Sequence, residues 1–104
     1  MVSKKELQAR VNRGVKFLNR EYGKYWVRKI DPEILSMEDP WTCILGQVEG
    51  GFENALHGLD LSLQKADRLG LYVRDDRWLM PAEEDEEYKA LTRIWKQKVK
   101  KLQR

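Results

Sequence analysis

Apolar positions recur at spacings of three and four along most of this chain, the mark of helices that each bury one stripe. Near the start the stripe is Leu7, Val11, Val15, Leu18 and Tyr22. Ser3 and Glu6 stand in front of it as a capping box, in which the serine oxygen accepts from an early helical amide and the glutamate reaches back. Gly23 is placed to end this helix. Gly14 lies beside the stripe at a cost of about 1 kcal/mol relative to alanine, which close approach of a neighbouring element would explain. At the far end, acidic residues 83–87 and basic residues 96–101 bracket a second long helix, each matching its end of the helix dipole. Its inner stripe is Tyr88, Leu91, Trp95, Val99 and Leu102.

Shorter elements fill the middle. Trp26 and Ile30 are four apart and would stack on one side of a helical turn. Asp31–Pro32 and Asp39–Pro40 both read as a cap followed by proline at the first helical position. The second pair leads into a face of Trp41, Ile44, Leu45 and Val48, stopped by Gly50–Gly51. Phe52, Leu56 and Leu59 suggest another short helix closing near Gly58. Ser62 caps a helix over 63–69, and Gly70 stands where a left-handed C-cap belongs. Leu71–Tyr72–Val73 and Trp78–Leu79–Met80 read as short extended pieces around a charged turn, compatible with a minor β-hairpin or an ordered loop. The expected fold is mostly α, a single domain over 1–104 built as a bundle of about five helices with long ones at each end.

Composition narrows the function classes. The chain has 104 residues, 41% apolar and 36% charged, with a net charge of +3 that permits an acidic partner without demanding one. One cysteine and one histidine make neither an internal disulfide nor a zinc site of the usual four ligands. No cofactor motif, metal-ligand pattern or small-molecule site is evident. There is no run of eighteen apolar residues and no apolar signal core, so the expectation is a cytoplasmic protein with no membrane contact.

Several residues together resemble a family. They are Ile30–Asp31, Leu35, Cys43–Ile44–Leu45–Gly46–Gln47–Val48, Gly51–Phe52, Gly58–Leu59, Ala66 with Leu69–Gly70–Leu71, and Glu87–Tyr88 with Leu91–Thr92 and Trp95. Their order is similar to that in small uncharacterised proteins of actinobacteria and their phages. The resemblance implies a small cytoplasmic protein of phage or prophage origin and brings no catalytic residue with it. Some relatives carry a further polar residue or cysteine just before Cys43, where this chain has Trp41–Thr42.

Candidate chemistry is sparse. Cys43, in the first turn of an expected helix, meets one condition for a nucleophile, and His57 is the one imidazole that could serve as its base. Flanked by Ile44 and Leu45, the thiol fits core packing better, and the chain is read as non-enzymatic. Gln47 within the same turn fits hydrogen bonding to neighbouring backbone. Cys43, Ile44, Leu45, Gln47 and Trp95 are therefore assigned to the structural core. Gly46 and Gly50–Gly51 match no phosphate-loop spacing, and the 83–87 carboxylates fan outward from a helix start.

Two surfaces remain. Trp78, Leu79 and Met80, with Tyr72 beside them, have the composition of a protein-binding anchor. The leading expectation is a protein-binding module, a phage or prophage accessory factor acting on a host, viral or identical chain. The alternative is nucleic-acid binding. Arg10, Arg13, Lys16 and Arg20 span about 120° of the first helix opposite its apolar stripe, and Lys98 and Lys101 extend the basic surface on the last helix.

Overall fold

The computed structural model describes residues 2–73 and 80–104. Among these lie five α-helices and one 3-10 helix: α1 (Lys4–Tyr22), the 3-10 helix (Lys24–Lys29), α2 (Ile44–Glu49), α3 (Phe52–Leu59), α4 (Leu63–Arg68) and α5 (Pro81–Leu102). The mostly α fold and the long terminal helices are as expected, with six helices among the described residues where about five were expected. None of the described residues forms a strand, and 71–73 run irregularly. The rest of the expected hairpin, residues 74–79, lies outside the described residues.

The helix ends follow their side chains. Ser3 and Ser62 cap α1 and α4, accepting from the amides of Glu6 and Lys65 at 3.1 Å each. α4 closes with Gly70 at φ +70°, the Leu71 amide donating to Ala66 O at 2.9 Å and the Gly70 amide to Asp67 O at 3.1 Å. α3 ends at Leu59, just past Gly58. Asp60 takes the left-handed position at φ 50°, and the Leu61 amide reaches back to Leu56 O at 2.9 Å.

Two expected starts behave differently. Asp31–Pro32 opens only a turn, because Asp31 Oδ1 accepts from Glu33 N at 2.9 Å while Gln47 occupies the Asp31 backbone. Asp39 likewise binds the amides of Trp41 and Thr42 at 2.7 and 3.1 Å. This holds 39–42 as a turn, so α2 starts at Ile44 with Cys43 as its cap and Trp41 falls outside its buried face.

The core is organised around Trp95, which is fully buried. Its Nε1 donates to Gly70 O at 2.7 Å, and Trp26 meets it edge-on with ring centroids 6.3 Å apart. Gly14 lets α1 approach here: a Cβ at that position would strike Leu69 O and lie 3.0 Å from the Trp95 ring. Phe17 and Ile94 are also buried, outside the expected stripes, while Leu102 is 42% exposed. Arg10 pairs with buried Asp67 at 3.2 Å, tying α1 to α4. Thr92 Oγ1 accepts from Met37 N at 2.9 Å, tying the long 30–43 connection to α5.

Two glycines should respond oppositely to alanine. Gly14→Ala is expected to destabilise by about 2 kcal/mol or more through overpacking against backbone. Gly58→Ala, with nothing within 4 Å of its added Cβ, should stabilise by about 0.5–1 kcal/mol. Urea unfolding midpoints check both.

Candidate functional site

The Cys43 thiol is shut in. The residue is 2% exposed, its Sγ accepts from Gly46 N at 3.2 Å and lies 3.9 Å from Pro40 O. Burial raises its pKa above the ordinary 9.0, outweighing the opposing pull of the Gly46 and Leu45 amides. His57 is exposed in the last turn of α3 and takes no part in the hydrogen bonds of the sulfur. Ile44, Leu45 and Trp95 are fully buried, as a core role requires. Gln47 is not a core residue but a half-buried clamp. Its Oε1 accepts from Asp31 N at 2.7 Å, and its Nε2 donates to Thr42 O at 2.8 Å and to Asp31 O at 3.3 Å. One amide side chain thereby joins α2 to both ends of the 31–42 segment.

That clamp, together with the Asp39 turn, displays Trp41. The Pro40–Trp41 peptide packs directly over Gly46, where a Cβ would stand 2.7 Å from Trp41 backbone. The Phe52 amide donates to Pro40 O at 2.8 Å, stitching the start of α3 to the same turn. The Trp41 ring lies along Gly51, 3.2 Å from where a Cβ would be, with the indole still 68% exposed. Pro40, Trp41, Gly51, Phe52, Glu53 and Asn54 line a cleft of about 240 Å3. Phe52 in turn stacks on Tyr72, centroids 5.6 Å apart at 22°. The result is an aromatic shelf running from Trp41 to Tyr72.

Of the residues expected to form a protein-binding anchor, the structure brings Tyr72 into this shelf. Met80 is 64% exposed at the start of α5 and does not line the cleft. Trp78 and Leu79 lie outside the described residues. Helical spacing assigns both Trp41 and Phe52 to buried faces; Phe52 is half-buried against the core, and Trp41 is exposed. The local signal that could have found Trp41 is the Asp-Pro pair before it, since an aspartate that caps nearby amides holds a turn as readily as it starts a helix.

The basic candidates divide. Arg10 is half-buried between Glu6 and Asp67, at 3.2 Å from each. Arg13 donates to Arg68 O at 3.0 Å, and Arg20 lies over the Phe17 ring at 5.7 Å from its centroid. Lys16 is exposed. Lys98 and Lys101 line a groove with Gln8, Asn12 and Gln97 between α1 and α5, apart from the α1 arginines.

Charge is segregated along the chain. Residues 30–64 hold seven carboxylates and no lysine or arginine, whereas 88–104 hold seven lysines or arginines and no carboxylate. All seven carboxylates of 30–64 are exposed, and none forms a salt bridge among the described residues. The Trp41 shelf therefore sits in the acidic part. Among the described residues no group of three or more histidines, cysteines or carboxylates is placed to hold a metal, and no helix is long and apolar enough to cross a membrane.

Two measurements follow from the burial of the ionisable groups. The Cys43 thiol should react with a maleimide far more slowly in the folded chain than in urea. Cys43 and Tyr88, the latter pushed up to about 12 by burial, both hold their protons more tightly when folded. Their contribution to stability is present at neutral pH and is lost as pH climbs from about 9 upward. The melting temperature should fall across that window, and less steeply in Cys43→Ala.

Comparison of the chain with protein-family models, curated proteins and solved structures finds no match.

Proposed function

We propose that the chain is a protein-binding module whose docking surface is the Trp41 shelf. The exposure of Trp41 carries this reading. An indole 68% open to water, held by a capped turn and backed by Gly51, is costly to display and fits the rigid aromatic anchors that dominate binding energy at interfaces. Its position is pre-set by the Asp39 and Gln47 hydrogen bonds, so little ordering is spent on binding.

The carboxylates around the shelf favour a partner that offers an apolar or proline anchor beside basic residues. Glu53 lines the cleft itself, and Asp39 adjoins it in sequence. The action proposed is occupation of a surface rather than bond chemistry, and it needs no cofactor. The assignment as a phage or prophage accessory factor acting on a host or viral protein rests on the sequence resemblance alone.

Peptides selected by display on the wild-type chain test the proposal. Trp41→Ala should weaken the selected peptides by more than about 1 kcal/mol while leaving the melting temperature unchanged. The Trp41 emission should shift to the blue on binding. Equal affinity of wild type and variant would remove the shelf as the docking surface.

A further inference from the structure

A second exposed aromatic lies in the basic part of the molecule. The 3-10 helix has three residues per turn, so side chains at i and i+3 eclipse. This sets the Arg28 guanidinium over the Tyr25 ring, 4.7 Å from its centroid. Trp26 next to it is buried and bonded through Nε1 to Asn19 Oδ1 at 2.8 Å, which anchors the turn and leaves Tyr25 69% exposed.

α5 brings further cations to this corner. Gln103 Nε2 donates to Val27 O at 3.0 Å and to Ile30 O at 2.8 Å, docking the end of α5 on the end of the 3-10 helix. Lys96 and Lys100 precede Gln103 at helical spacing and share its face. Lys29 lies between the two carbonyls that Gln103 holds. Among the described residues, Lys29, Lys96 and Lys100 form no salt bridge. Neither the 3-10 helix nor residues 88–104 contain a carboxylate side chain.

We infer that this corner, where Gln103 joins the α5 tail to the 3-10 helix, is a binding site for single-stranded nucleic acid. Lysines meet the phosphates, and the Tyr25–Arg28 stack offers a flat cationic platform to an unpaired base. A duplex presents phosphates without a free base face, so it leaves the exposed ring without a role. The site is separate from the Trp41 shelf and does not depend on it. It also differs from the α1 arginine face, where Arg10 is held between Glu6 and Asp67.

Fluorescence anisotropy with labelled oligo-dT tests the inference, with a duplex of equal length and phosphatidylserine vesicles as competitors. Wild type should bind oligo-dT more tightly than either competitor. Tyr25→Ala should lose about tenfold in affinity and Tyr25→Phe should retain it, since stacking on an aromatic carries the effect. Lys29→Gln with Lys100→Gln should flatten the dependence of log Kd on log salt by about 1.4. Trp41→Ala should bind oligo-dT as wild type does, which separates this site from the shelf. Unchanged affinity in Tyr25→Ala, or equal binding of duplex or vesicles, overturns the assignment. Tyr25 is exposed, so its variants should keep the wild-type melting temperature.

Discussion

An indole sealed in a small core needs two things at once, room for its ring and an acceptor for its N–H. Trp95 obtains both from glycines. Gly14 leaves space for the ring at the α1–α5 crossing, and Gly70 supplies the carbonyl that accepts from Nε1. Gly70 is constrained twice more: its φ is +70°, and a Cβ there would press on Arg10 and Val11 backbone at 3.1 Å. One side chain thus determines where α1, α4 and α5 meet. The closure of α4 then directs 71–73 toward Tyr88, whose hydroxyl meets Val73 N at 3.3 Å, and Trp26 positions the 3-10 helix through the same ring.

From that centre the charge pattern becomes a surface pattern. α1 and the C-terminal half of α5 are both rich in cations yet α1 and α5 pack together, because their contact is made by apolar residues and glycine. The acidic middle forms the 31–42 connection, α2 and α3. The long connection is ordered by few but well-placed polar contacts, chiefly Gln47 to Asp31 and Thr42, and Thr92 to Met37. The aromatic shelf owes its rigidity to these contacts, and the basic corner owes its own to Gln103.

Local chemistry was legible wherever the partner of a group lies within a few residues. The serine caps of α1 and α4 and the left-handed closure at Gly70 follow from short-range rules, and the burial of Trp26 and Trp95 from helical spacing, whereas the Gln47 amide finds Asp31 sixteen residues away. Gly14 could be read as a point of close approach because its cost in a helix demands compensation. Arg10 was not legible: helical geometry puts it on the polar face, and only the position of Asp67, remote in sequence, makes it half-buried. Cys43 was expected inside a helix and instead caps one, because the Asp39 turn delays the start. Helical spacing also assigns Trp41 inward, but with the later helix start it lies in the Asp39 turn, outside any helical face.

The amino-acid sequence by itself determined the helical class, the two long terminal helices, most of their ends and the aromatic core. These depend on periodicity and on hydrogen bonds that close within one turn. Tertiary structure alone decided which aromatics are displayed, which arginines are drawn into internal pairs, and where the basic α5 tail docks. Exposure and pairing are properties of the space between elements, and that space is set by long-range contacts such as Trp95 to Gly70, Gln103 to Val27 and Arg10 to Asp67.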